Sequence, residues 1–239
     1  MNVVILQPFY LPYAGVFELV RMADVFVFYD DVQLTRRNWM VRNQIKTATG
    51  AQWLSVPVLG PRDSTIHHTP INESEHWRRK HKTAIEYAYA GAPHRALVLD
   101  ALGPYWDREW PDLATLNIAT FTRLCELMEV ESEFIRSSEM NVPGASSQRI
   151  IDMCRSLGAD RYITGRSARA YLDAEAFGAV GIDLCYHRFD HPTYRQLHGE
   201  FVPFMSVVDL IANEGPAAPG IVRGCGTAVP AAAFDDEAS

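Results

Sequence analysis

The chain has 239 residues and a mass of 26.9 kDa, with 48% hydrophobic and 21% charged residues. This composition suits one globular domain, or one domain plus a small subdomain, and excludes a collagen-like, coiled-coil or wholly disordered chain. Twenty-two basic residues against 29 acidic ones give a net charge of −7 and a pI of 5.6, which disfavours a generic duplex-DNA binder. No apolar run approaches the ~18 residues of a membrane span, and the amino terminus lacks a basic segment ahead of a signal-type apolar stretch. The expectation is no nucleic acid, no membrane and a cytoplasmic location.

Taken in chain order, residues 2–6, Asn-Val-Val-Ile-Leu, predict a buried strand. Residues 7–13 carry Pro8 and Pro12 and predict a loop, because two prolines four apart suit neither a helix nor a central strand. A helix over 14–23, with Phe17, Val20 and Met22 facing inward, leads to a second buried strand over 25–29 that ends in Asp30-Asp31. Strand, helix and strand in this order form a parallel crossover unit.

Further strands are predicted at 53–58, 132–136, 161–164 and 182–186. Helices are predicted at 75–90, 95–106, 112–128, 147–157, 168–177 and 203–213, the fourth stopped by Gly158. The alternation over 132–186 argues for an α/β fold, a doubly wound, mostly parallel sheet with helices on both faces. The helix-only stretch at 75–129 reads as an inserted helical subdomain. Residues 1–214 are expected to form one α/β catalytic domain. Residues 215–239, with 7 Ala, 4 Gly and 3 Pro, read as a flexible tail.

Charge is unevenly spread. Eight of the 22 bases fall in residues 36–46 (Arg36, Arg37, Arg42, Lys46) and 78–82 (Arg78, Arg79, Lys80, Lys82). Two basic segments in an acidic protein suit a small anionic ligand better than a long polyanion. The first segment also carries Trp39 as a stacking surface, with Asn43 and the nearby Gln33 as amide donors.

Ligands of parallel α/β sheets lie outside the carboxyl ends of strands. Three such ends are expected here: Gln7 to Tyr13, including Tyr10; Asp30, Asp31 and Gln33; and Thr164-Gly165-Arg166-Ser167. Asp30 and Asp31 could act as a general base or hold Mg²⁺, or could serve as a helix cap or ion-pair partner. His81, inside the second basic cluster, is a candidate acid/base. His187 and His191 lie in an irregular segment without an H-E-x-x-H pattern, and no metal site is assigned. Cys125, Cys154, Cys185 and Cys225 show no C-x-x-C spacing and read as small buried residues.

The ordered run Gln7-Pro8-Phe9-Tyr10-Leu11-Pro12-Tyr13, Ala23-Asp24-Val25-Phe26-Val27, Asp30-Asp31-Val32-Gln33, Trp39 to Lys46, Trp53 to Val58, Lys80-His81-Lys82 and Met205-Ser206-Val207-Val208-Asp209-Leu210 resembles the WbqC-like family over roughly residues 2–215. Val41 and Tyr13 depart from the pattern, where Asn and Trp are expected. The resemblance implies an enzyme of polysaccharide or specialised-metabolite biosynthesis, but no established catalytic set to carry over. A weaker likeness, in the opening strand, proline turn and helix, is to nucleotidylyltransferase and pantothenate synthetase folds. The H-x-G-H tetrad of those folds is absent here.

The resemblance implies transfer of an acyl or aminoacyl group to an amine, and the basic segments suit an anionic thioester donor, on coenzyme A or a carrier protein. Asp30, Asp31 or His81 would take the proton. Gln7, Tyr10, Gln33, Arg36, Trp39, Arg42, Asn43, Lys46, Lys80 and Lys82 would bind substrate. No cofactor is required. A Mg²⁺-dependent nucleotidyl or phosphoryl enzyme, and a non-catalytic subunit binding a nucleotide sugar or a partner, are the alternatives. A homodimer is compatible with either reading.

Overall fold

A computed structural model describes residues 1–35, 37–61 and 63–234. The chain opens with β1 (Asn2–Leu6), α1 (Ala14–Arg21) and β2 (Val25–Phe28), followed by a hairpin of β3 (Arg42–Thr47) and β4 (Gly50–Ser55). Three helices follow, α2 (Trp77–Ala88), α3 (Arg95–Trp106) and α4 (Leu113–Leu127), then β5 (Glu133–Arg136), α5 (Ser137–Met140) and α6 (Ser146–Leu157). The last third is β6 (Arg161–Gly165), α7 (Ala174–Ala179), β7 (Asp183–Phe189), α8 (Val207–Glu214), α9 (Ala218–Val222) and β8 (Gly226–Pro230). No described helix is long and apolar enough to cross a membrane.

Six strands form one sheet in the order β5-β2-β1-β6-β7-β8, parallel except for β8, while β3 and β4 pair only with each other. The side-chain period of two assigns each face of β1 to a different core. Val4 joins Phe17, Phe26, Phe28 and Phe121 on the side of α1 and α4, whereas Val3 and Ile5 join Ile150, Ile151, Cys154 and Phe177 on the side of α6 and α7. With both faces covered, the central strands are continuous apolar runs, which makes 2–6 and 25–28 readable from sequence.

Three expectations need correction. The helices at 77–127 do not stand apart as a subdomain: Trp77, Ile85, Leu102 and Phe121 belong to the same apolar cluster as the sheet. The Phe121 ring of α4 stacks on Phe17 at 5.2 Å and on Phe26 at 5.5 Å, so α4 lies directly on the sheet. The stretch beyond residue 214 contains α9 and β8, and β8 pairs antiparallel with β7 from Cys185↔Pro230 to Phe189↔Gly226; residues 235–239 lie outside the described residues. The helix expected over 168–177 is a 3-10 turn at Arg166–Ala170 followed by α7, capped by the Asp173 carboxylate on the N–H groups of Glu175 and Ala176.

Candidate functional site

The winding of the sheet determines where a ligand can enter. Strands β1, β2 and β5 are added toward one edge with α1 and α4 on one face; β6 and β7 are added toward the other edge with α6 and α7 on the opposite face. The loops after β1 and β6 therefore leave in opposite directions and open a crevice at their carboxyl ends. One arm of the crevice encloses about 340 Å³ between Gln7, Phe9, Tyr29, Thr164, Ser167 and Tyr171. A second arm, of about 610 Å³, shares Leu6, Phe9, Gly165 and Ser167 with the first and extends to Tyr13, Trp39, Arg188, His191 and Phe204. Each volume is in the range of small-molecule sites.

Buried hydrogen bonds hold the rim. The Asn117 amide of α4 donates to the carbonyls of Pro8 and Met40, both at 2.8 Å, and the backbone N–H of Tyr10 donates to the Trp39 carbonyl at 2.9 Å. The backbone around Phe9 is thereby tied to that around Trp39. At the start of α1, a Cβ on Gly15 would run into the rings of Tyr13 and Phe189, so only glycine lets these aromatics meet over the wider arm.

The arms differ chemically. Neutral hydroxyl and amide groups line the narrower one: Gln7, Tyr29, Ser146, Thr164, Ser167 and Tyr171. The wider one holds His187, Arg188, Asp190 and His191. The His191 Nε2 accepts the Phe204 N–H at 3.1 Å, which leaves the ring proton on Nδ1 to donate to the Pro192 carbonyl at 2.9 Å. That imidazole is neutral, and burial lowers its pKa. Burial also pushes His187 down to about 4. The Arg188 Nε is buried without a hydrogen-bond partner among the described residues, and its guanidinium carbon lies 5.6 Å from the Phe234 ring centre. Arg188 is half-buried and lines the crevice, so the remainder of its guanidinium is a cationic group available to an anion there.

Of the residues selected by sequence, Gln7 and Trp39 line the crevice. Tyr10 and His81 meet instead in the core, 0% and 4% exposed. The Ser55 carbonyl can only accept, so the His81 Nε2 carries the proton and donates to it at 3.2 Å. The Tyr10 hydroxyl then donates to Nδ1 at 2.8 Å and accepts the Trp106 indole N–H at 3.2 Å. Every group is satisfied in its neutral form, and burial lowers the His81 pKa to about 4. Asn43 is buried and donates to the carbonyls of Leu11 (2.8 Å) and Tyr10 (3.3 Å). Lys46, also buried, donates to the carbonyls of Gly199 (3.3 Å) and Glu200.

The Arg42 guanidinium lies 4.1 Å above the Trp53 ring. Gln33 is exposed and bridges to Thr65, Lys80 is exposed on α2, and Lys82 pairs with Asp107 at 3.2 Å. Arg36 lies outside the described residues.

Asp30 and Asp31 end β2 in a closed network. The Asp30 carboxylate, fully buried, accepts from the Arg136 guanidinium at 2.7 Å and from the Ser138 N–H and hydroxyl, both at 3.0 Å. Asp31 pairs with Arg149 and accepts the Ser137 hydroxyl at 2.6 Å. Burial pushes the Asp31 carboxyl up, but hydrogen bonds from Arg149 and Ser137 and the charge of Arg149 outweigh it and hold it below the usual range. Two guanidiniums already compensate the charge that would attract Mg²⁺. Arg149 also lies 5.2 Å from the Tyr29 ring, linking this network to the wall of the narrower arm.

Comparison with known proteins identifies relatives of the whole chain. The model of the WbqC-like protein family matches residues 7–221. An uncharacterized protein of Mycobacterium tuberculosis, Rv1507c, is 34% identical over 228 residues, covering 94% of this chain and 98% of its own length. No solved structure matches the chain.

Proposed function

The chain belongs to the WbqC-like protein family, and from that premise we propose that it transfers an acyl or aminoacyl group, in the crevice between β1 and β6, from an anionic thioester donor to an amine. The observation that carries this reading is Arg188, a half-buried cation on the wall of the wider arm. It suits the phosphate of a donor's carrier. The narrower arm, neutral and rich in hydroxyls, suits an uncharged polar acceptor.

In the reaction the amine nitrogen attacks the thioester carbonyl carbon. The C–N bond forms, the C–S bond breaks, and the amine proton passes through Asp190 to the departing thiolate. Gln7 and Ser167 donate to the carbonyl oxygen as it gains charge. The proton acceptor differs from the expected ones, since Asp30 and Asp31 are bound to arginines and His81 is sealed in the core.

The test is calorimetric titration with acetyl-coenzyme A, followed by mass spectrometry of incubations with amine acceptors. Arg188→Ala should weaken donor binding by about 1–3 kcal/mol with an unchanged melting profile. An Arg188→Ala protein with full donor affinity would overturn the assignment of the wider arm.

A further inference from the structure

The wider arm ends on an aromatic ledge that the reading above does not use. Trp39 and Trp53 expose 42% and 41% of their surfaces, although large apolar side chains seldom cluster in the open without a purpose. Their rings lie 5.7 Å apart at 39°. Arg42 covers Trp53 from 4.1 Å, and its Nε is buried without a hydrogen-bond partner among the described residues. With Trp53 taken by Arg42, the indole left to a ligand at the cavity wall is Trp39, which lines the same arm as Arg188. The Asn117 bonds to Pro8 and Met40 hold this stretch in place before any ligand arrives.

An open indole on a cavity wall favours a planar aromatic ring, and Arg188 in the same cavity favours an anion attached to that ring. We propose that the donor's carrier is a nucleotide, with its base stacked on Trp39 and its phosphates directed to Arg188. This rests on the proposed use of the crevice and narrows it. The donor is a free nucleotide-bearing molecule of the coenzyme A kind, not a phosphopantetheine arm on a carrier protein, which has no base to stack.

Titration with ADP, inorganic pyrophosphate and 4′-phosphopantetheine separates these cases. ADP should bind more tightly than pyrophosphate and quench tryptophan fluorescence. Trp39→Ala should weaken ADP about tenfold or more, as loss of one base–aromatic stack does, and leave pyrophosphate unchanged, while Trp39→Phe keeps most of the ADP affinity. Trp39→Leu repeats the test with an apolar side chain, and a thermal melt of each variant controls for folding. Arg188→Ala should weaken ADP and pyrophosphate alike. ADP binding no tighter than pyrophosphate, or indifferent to Trp39→Ala, overturns the stacked base. The crevice reading survives that result if 4′-phosphopantetheine still binds and depends on Arg188. Failure of all three probes to bind the unaltered protein overturns both.

Discussion

The network at the end of β2 and the crevice beside it are both built from charged and hydroxyl side chains at the carboxyl ends of parallel strands, yet one is closed and the other open. Around Asp30 and Asp31 each carboxylate meets a guanidinium and serine donors. Around Tyr10 and His81 each donor finds one acceptor. In the crevice, by contrast, the Arg188 Nε has no acceptor among the described residues. A side chain of catalytic type whose hydrogen bonds are all made inside the protein holds structure, and a plainer residue left unsatisfied at a strand end is the better functional candidate.

Mutation can break this contrast. The largest effect is expected at Asp30, where replacement by alanine orphans Arg136 and the N–H and hydroxyl of Ser138, while the Ser137 hydroxyl keeps Asp31. That should cost about 3–5 kcal/mol, toward the lower end because Arg136 is partly exposed. Urea denaturation checks it, and a loss under 1 kcal/mol would mean that the network is not structural.

Acid should act next. An unfolded imidazole takes up a proton near pH 6.5, whereas His81 and His187 in the folded chain do so only near pH 4. Between those values the unfolded chain holds more protons, so stability falls as pH is lowered, by roughly 3 kcal/mol for a shift like that of His81. Asp209, whose carboxyl is pushed up by burial, works in the opposite direction. Melts from pH 7 to 4 should show the decline, and His81→Leu should flatten it. The smallest effects belong to Lys80→Ala and Lys82→Ala, within about 0.5 kcal/mol in stability and without effect on donor affinity. A large loss of affinity in either would return the second basic cluster to the site.

The sequence made the sheet legible where burial is two-sided. The limits of β1 and of α3 (Arg95–Trp106) match the predicted ones, and Gly158 ends α6 in the left-handed conformation at φ 72°. Of the hairpin, β4 was expected at 53–58 and lies at Gly50–Ser55, while β3 was hidden because Asn43 and Lys46, polar residues, take up buried positions through hydrogen bonds to carbonyls, leaving Ile45 as the single large apolar signal. Strand β8 was hidden by its Ala-Gly-Pro composition, since the strand propensity of Val229 is diluted on both sides. In the site, Gln7, Trp39 and the Thr164–Ser167 turn were readable as strand ends or a stacking surface. Arg188 was not, because β7 was expected to stop at Tyr186; it runs on to Phe189 and carries Arg188 to the crevice.

The two borders of the main sheet have a bearing on how copies of the chain could meet. One border is β5, only four residues long, with Glu133 and Arg136 at its ends and Arg136 bound to Asp30. The other is β8, which finishes at Pro230, a residue with no N–H to offer. Short, charged or proline-ended borders make poor templates for strand addition. The main sheet therefore offers a neighbouring copy little to extend at either border.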